Sequence, residues 1–542
     1  MHWIRRSLWL VALLPTAAAL AFVVLASPHP EALADRAAGG WSATWWSVDA
    51  WLRLGDGECL PGQRALLALV MQVPGLDLRW AAALGIVLAI VSAMLVARAV
   101  ARAVGDGFAV APLAYLAVSA MCLSPTYGQD WLHVERAGVF VPPLLLVLAL
   151  GLLDGRRAAA WRMLGAAVLA ALAPTFHPTG ALVGAALWPA TYACAQRVDR
   201  RGLPWSAVVA AAGLSVAIAQ WVVGGWHGAA SGLQQVTGDP LAFAWLLLER
   251  LGGCWGDLLT DSRFDERAFG ALSLAALVAL PLLPRREGAG EAARWWTSAA
   301  FGASAVVLTT VWLPADAPGY ARIALAYGSF LLPIGLVGVA ATRFSLGMWS
   351  IALGAACVLQ LQDWSRGAQF LRHGYARAAA VAAAAELPAG MDDEVVSNLR
   401  AYADAEVRER LTKAGKVPAA AADLAVAVTA AAGHALDPEA GLVQGGSPIE
   451  VHGFAHVGLL REPVGAVFAV ATVDGATAVR GAKVVQNSGG LPVTPWRIAW
   501  SEALPEGAKL VVVGRRSNDG KLVVLGRGTV RDGKWTADAA GS

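Results

Sequence analysis

Residues 78–102 read LRWAAALGIVLAIVSAMLVARAVAR, an uncharged apolar run from Trp80 to Ala97 closed by Arg98 and Arg102. A run of about twenty apolar residues matches a bilayer core ~30 Å thick at ~1.5 Å rise per residue. Two arginines immediately beyond it mark the end that stays in the cytoplasm. The same unit recurs through the first two thirds of the chain. Candidate spans cover residues 8–26, 78–97, 108–124, 139–153, 162–176, 179–196, 204–223, 268–283, 295–313, 320–341 and 345–361.

The loops between these spans alternate in charge. Arg5 and Arg6 precede the first, Arg156, Arg157 and Arg162 separate the fourth and fifth, and Arg197, Arg200 and Arg201 follow the sixth. Arg285, Arg286 and Arg294 lie between the eighth and ninth, and Arg343 closes the tenth. Every second loop is therefore basic and expected inside. Loops 27–77, 125–138, 224–267 and 314–319, with the tail from 362, are expected outside. Val24-Leu25-Ala26 would also suit signal-peptide cleavage, which leaves the later orientation unchanged.

Composition agrees. The 542 residues are 57% hydrophobic and 15% charged, with a mean hydropathy of +0.55, whereas soluble domains carry ~25% charged residues. A net charge of +3 without long Lys/Arg runs excludes a nucleic-acid partner. The five cysteines (Cys59, Cys122, Cys194, Cys254, Cys357) form no CxxC or His/Cys cluster. Cys59 and Cys254 share the outer face, where a disulfide between them is one option.

The expected fold is thus a polytopic α-helical membrane domain over 1–362, followed by two extracytoplasmic regions. Residues 363–446 are Ala-rich and read as a helical linker. Residues 447–542 carry short β-rich runs at 449–456, 464–473, 478–486, 496–500, 509–514 and 521–526. Asp474-Gly475, Asn487-Ser488-Gly489-Gly490, Pro505-Glu506-Gly507 and Asn518-Asp519-Gly520 punctuate them. Such spacing reads as a small β-sandwich.

Candidate chemistry sits in the outer loops. Trp45-Trp46-Ser47-Val48-Asp49-Ala50-Trp51 places a carboxylate among tryptophans, where partial desolvation favours a general base. A helix cap with interfacial anchors is the competing reading. Asp130, His133, Glu135 and Arg136 fall within seven residues of one another and could orient a phosphate or a sugar hydroxyl, or hold two helices by ion pairs. The Asp130/His133 spacing permits metal ligation, but two ligands do not define a site, so no metal or other cofactor is required. Ala173-Pro174-Thr175-Phe176-His177-Pro178-Thr179-Gly180 breaks two spans near the outer face, a break suited to lining a wet cavity. The run Leu-Ala-Phe-Ala-Trp-Leu-Leu-Leu at 241–248, in the loop holding Glu249 and Arg250, reads as a helix lying on the membrane surface. Arg322, near the outer end of the tenth span, must snorkel or meet an anion.

In this order the pieces resemble the GT-C integral-membrane glycosyltransferases that use polyprenyl-phosphate-linked sugars, of the arabinofuranosyl- and mannosyltransferase kind. Val48-Asp49-Ala50-Trp51-Leu52 stands where relatives often show Asp-Asp-Ala-aromatic-Ile. Leu67-Ala68-Leu69 through Pro74-Gly75-Leu76-Asp77 resembles their interfacial helix ending in Gly-Leu-Asp. His177-Pro178-Thr179-Gly180 replaces a frequent Arg-Pro-Asp-Gly, and Tyr320-Ala321-Arg322 with Pro333 resembles their Arg-bearing late span. The chain departs from the pattern at Val48 and Thr179, where acids are lost. The resemblance implies an inverting transferase in a bacterial-type plasma membrane, N-terminus cytoplasmic and tail outside. It would act on a cell-envelope glycan or glycolipid. Asp49 would be its base; Arg136 and Arg322 would hold the donor phosphate, and Asp130, His133, Glu135 and His177 would face the substrates. A catalytically inactive envelope scaffold with a β-sandwich binding module is the alternative. A transporter fits less well, because the charges avoid mid-span positions and no inverted repeat is evident.

Overall fold

The computed structural model describes residues 2–25, 60–71, 78–104, 109–124, 127, 134–154, 160–199, 202–224, 238–255, 263–283, 289–312, 327–342, 360, 364, 421–436, 441–446, 450–457, 462–481, 483–484, 494–500, 502–516 and 521–537. The protein is mostly helical with a small C-terminal sheet region. It divides into two compact units, one drawn mainly from Ala82–Ala368 and one mainly from Gln369–Ser542.

The helical unit contains α1 (His2–Ala12), α2 (Leu14–Leu25), α3 (Pro61–Met71), α4 (Leu78–Val104), α5 (Val110–Cys122), α6 (Val141–Leu153), α7 (Ala160–Leu172), α8 (Ala181–Ala186), α9 (Trp188–Asp199) and α10 (Gly202–Gly224). It continues with α11 (Pro240–Gly253), α12 (Arg263–Ala279), α13 (Ala289–Trp312) and α14 (Leu331–Ala341). Each expected span up to residue 341 falls on helix, the tenth only from Leu331; the span expected at 345–361 lies outside the described residues except Gln360. Among the described residues one helix, over Ala83–Val104, is both long and apolar enough to cross a membrane. The apolar stretches at Arg6–Ala21, Val110–Cys122, Ala137–Leu153, Ala160–Thr175, Pro204–Gln220 and Leu331–Ala341 are shorter.

Glycines let these helices touch along their backbones. A Cβ on Gly302 would lie 2.3 Å from Leu332 N, and one on Gly335 2.3 Å from Ala299 N, so α13 and α14 run antiparallel in close contact. Gly184 meets Val209 O at 2.8 Å in the same sense, joining α8 to α10. Small residues at crossings gain dispersion contacts that bulkier side chains would prevent. Gly252 against Glu266 and Gly270 against Leu248 press α11 antiparallel onto α12. The run at 241–248 is helical, as its composition suggests, and belongs to a helical hairpin.

Large apolar side chains turn outward. Val87, Val91 and Met94 on α4, Trp161, Leu164, Val168 and Leu172 on α7, and Leu214, Ile218 and Val222 on α10 are exposed at helical spacing, while Met163, Ala166 and Ala170 of α7 face the interior. A helix packed in water shows the opposite arrangement. Buried hydroxyls of Ser92, Thr191, Thr297 and Thr310 bond to carbonyls one turn earlier on their own helices, which satisfies them without a polar neighbour. At one end of the unit Asp154, capping α6, pairs with Arg294 of α13 and with Arg102 of α4 at 3.7 Å.

The second unit holds α15 (Ala421–Ala432) and strands β1 (Gly441–Gly446), β2 (Glu450–Val457), β3 (Glu462–Val473), β4 (Ala476–Gly481), β5 (Lys483–Val484), β6 (Thr494–Ala499), β7 (Lys509–Arg516), β8 (Leu522–Arg531) and β9 (Lys534–Ala537). All pairings between them are antiparallel. One sheet runs β1-β2-β6-β5, the other β4-β3-β7-β8-β9, joined where His456 and Val457 meet Pro463 and Glu462. Val451, Trp496, Ile498 and Trp500 from the first and Val467, Ala469, Leu510, Val512, Leu525 and Trp535 from the second share one core. The other face of the second sheet, with Phe468, Val470 and Val513 buried, lies on the side of α15. Arg527 closes that helix by donating to Ala432 O at 3.1 Å. Positive φ at Asp474 (49°) and Gly475 (82°) makes the expected β3–β4 turn, and Asp532 (50°) with Gly533 (64°) repeats it between β8 and β9.

Candidate functional site

Three segments that the sequence places in or beside outer loops meet at one end of the helical unit. The first is α3. A Cβ on Gly62 would stand 2.3 Å from Thr175 Oγ1 and 3.1 Å from the Phe176 ring, so α3 presses on the break between α7 and α8. The second is the 3-10 turn Val134–Phe140, which carries Glu135 and Arg136. A Cβ on its Gly138 would lie 2.4 Å from Phe176 O and 2.5 Å from Gln63 Oε1. The third is the break itself, two short 3-10 turns at Ala173–Thr175 and Pro178–Gly180. Its chain recrosses so tightly that a Cβ on Gly180 would fall 2.1 Å from Ala173 O.

His177 caps the second of these turns. Its Nδ1 accepts from the Thr179 N–H at 3.3 Å and lies 2.8 Å from Thr179 Oγ1, an assignment that puts the ring proton on Nε2. Thr179 is buried and serves the local turn.

A second polar group sits just before α14. The turn Tyr327-Gly328-Ser329-Phe330 requires glycine, because φ at Gly328 is +105°. Tyr327 stacks edge-on against Phe140 with ring centroids 4.5 Å apart and shares a hydrogen bond with Cys122 at 2.7 Å. Phe140 in turn wedges against Gly85 of α4, tying this turn to the 134–140 segment. Tyr127 Oη and Ser329 Oγ are 2.9 Å apart. Ser329 also bonds Cys254, a free buried thiol that donates to Arg250 O at 3.3 Å and whose pKa burial pushes up to about 12. That free thiol argues against the Cys59–Cys254 disulfide. Gln360 Nε2 donates to Trp255 O at 3.4 Å, and Trp255 Nε1 donates to Ser273 at 2.8 Å.

Arg250, near the C-terminus of α11, is 3% exposed. Its Nη1 donates to Thr309 O at 2.9 Å, near the C-terminus of α13. Burial pulls its pKa down to about 10, with Glu249 opposing, so the guanidinium stays charged at neutral pH. Glu249 itself is held by Arg267 of α12 at 2.6 Å.

Of the residues singled out from sequence, the structure places His177 in the break. It places the backbones of Glu135 and Arg136 in the turn that packs against that break. Asp49, Asp130, His133 and Arg322 lie outside the described residues. Tyr327 and Ser329 escaped the sequence reading because their partners Cys122 and Tyr127 lie some two hundred residues away. Arg250 and Cys254 stood in the third outer loop without the contacts they make here. Among the described residues no group of three His, Cys, Asp or Glu side chains could hold a metal ion. Compared with protein-family models, with curated proteins and with solved structures, the chain matches none.

Proposed function

We propose that the chain is a multi-pass membrane glycosyltransferase of the GT-C type. In this reading eleven spans carry an outer catalytic face and an extracytoplasmic sandwich-like domain. It moves a sugar from a polyprenyl-phosphate donor to a cell-envelope glycan or glycolipid. The observation that carries the reading is the gathering of α3, the 134–140 turn and the 173–180 break at one end of the helical unit. These are the outer segments that hold or adjoin the residues a transferase of this type would use. Two further features support it. Arg102, Asp154 and Arg294, all assigned to the cytoplasmic face, meet one another. The outward apolar stripes on α4, α7 and α10 suit lipid rather than water.

Asp49 takes the proton of the acceptor hydroxyl as its oxygen attacks the anomeric carbon. The bond from that carbon to the phosphate oxygen breaks, configuration inverts, and polyprenyl phosphate leaves. Arg136 and Arg322 stabilise the charge that develops on the phosphate. The inactive-scaffold reading draws on one observation, the engagement of His177 Nδ1 with Thr179 in a helix cap.

Transfer of radiolabelled sugar from a panel of polyprenyl-phosphate donors in purified membranes separates the two. Wild type is expected to transfer, and Asp49→Asn at equal expression to lose ~10²–10⁴-fold, the typical contribution of a positioned base. No transfer with any donor would support the scaffold. Transfer unchanged in Asp49→Asn would keep the reaction and remove Asp49 as its base.

A further inference from the structure

We infer that Arg250 is the core of an oxyanion site, built into the packing of α11 against α13, that takes a phosphate group. The inference stands independently of the transferase reading and concerns neither Arg136 nor Arg322.

Three features of Arg250 carry it. First, the side chain is buried, yet Nε and Nη2 have no hydrogen-bond partner among the described residues. Buried donors are nearly always paired, and an unpaired buried cation is the costliest exception. Second, no carboxylate among the described residues forms an ion pair with it, and Glu249 favours its charge only through space. The adjacent Glu249 turns to Arg267 of α12, which bonds it through Nε at 2.9 Å and Nη2 at 2.6 Å. Third, the two unused donors are adjacent. Nε and Nη2 form the side-on edge of the guanidinium, two parallel N–H groups spaced to meet two oxygens of one phosphate or carboxylate.

The structural role of Arg250 uses only the opposite corner. Nη1 caps a carbonyl in the last turn of α13, where backbone acceptors lack helical partners. That cap fixes the guanidinium plane and presents the side-on edge in a set direction. A lysine could supply the cap and the charge, but not the second parallel donor. Phosphate is preferred over a side-chain carboxylate of the chain, because α11 and α12 direct their own acid, Glu249, elsewhere.

The phosphate could be a lipid headgroup or a free ion, and the test distinguishes them. The full-length chain, purified in a neutral maltoside detergent, is titrated with inorganic phosphate and separately with dodecyl phosphate, at matched ionic strength. Binding is read by calorimetry and by the shift in Tm. Wild type is expected to bind and to gain thermal stability. Tighter binding of dodecyl phosphate by tenfold or more assigns a lipid phosphate; equal affinities assign the free ion.

Arg250→Met is expected to abolish binding and, without phosphate, to keep or raise the wild-type Tm, because it removes a buried unpaired charge. A purely structural arginine predicts the reverse, a lower Tm with or without phosphate. Arg250→Lys, which keeps cap and charge, is expected to bind about tenfold more weakly, the effect of ~1.4 kcal/mol. No binding of either probe by wild type, or unchanged binding in the Met or Lys variant, overturns the inference.

Discussion

Gly180→Ala is expected to lower the unfolding free energy by about 3 kcal/mol, at the upper end of overpacking penalties. The new methyl would lie 2.1 Å from Ala173 O, 2.2 Å from Ala173 C and 2.5 Å from Pro174 N. All three are backbone atoms, so no rotamer change relieves the clash and the two arms of the break must separate. Separation would displace Phe176, whose carbonyl sits where a Gly138 side chain would be, and loosen the contacts of α3 and the 134–140 turn together. A fall in stability should therefore bring a fall in the proposed transferase activity. Gly151→Ala is the matched control. Nothing lies within 4 Å of its added methyl, so relief of the glycine penalty in α6 should stabilise by about 1 kcal/mol. Equal behaviour of the two variants in thermal melts would contradict the tight crossing at 173–180.

The second large effect concerns the outward apolar stripes. Ile218 is 55% exposed on α10, and a lysine there would cost nothing in water. In a bilayer the cost at a helix centre is roughly 2.5–3.5 kcal/mol. Ile218→Lys and Val168→Lys are therefore expected to reduce membrane-inserted protein sharply, by about tenfold or more for each ~1.4 kcal/mol of that cost. Val426 of α15 is 70% exposed in the second unit, and Val426→Lys is expected to stay within about ±0.5 kcal/mol of wild type. Quantitative blotting of membrane and soluble fractions separates the outcomes. Neutral behaviour at Ile218 and Val168 as well as at Val426 would mean that α7 and α10 face water.

Much of the helical pattern was legible, for a physical reason. Arg98, Arg102, Arg156 and Arg294 punctuate the apolar runs, so hydropathy and charge suffice to place α4, α6, α7 and α13. The β-rich tail was legible through its turns. Asp474-Gly475 adopts the backbone that its residues favour, and β2, β3, β6, β7 and β8 lie near their expected positions. The misses at its edges come from weak local signals. Gly441–Gly446 is glycine-rich and read as linker, yet it pairs with β2 from Gly441↔His456 to Gly446↔Val451. The hairpin to β9 rests on Asp532-Gly533, the same dipeptide as at 474–475, and could have been read from it. The polar groups of the helical unit were not legible. Cys122 meets Tyr327 and Tyr127 meets Ser329 across some two hundred residues, and hydropathy carries no information about such pairs. Arg250 looked like one charge among several in a long loop. Its burial follows from glycines at 252 and 270 that bring α11 onto α12.

The sidedness of the helical unit carries the account, and two-sided labelling tests it most directly. In a chain with its five cysteines replaced, single cysteines are introduced at Asp56, Arg102, Arg286 and Lys521. Sealed right-side-out vesicles are then treated with a membrane-impermeant maleimide. Labelling at Asp56 and Lys521 in sealed vesicles, with Arg102 and Arg286 labelled only after permeabilisation, is the predicted result. Labelling of Asp56 and Arg102 from the same side would contradict it.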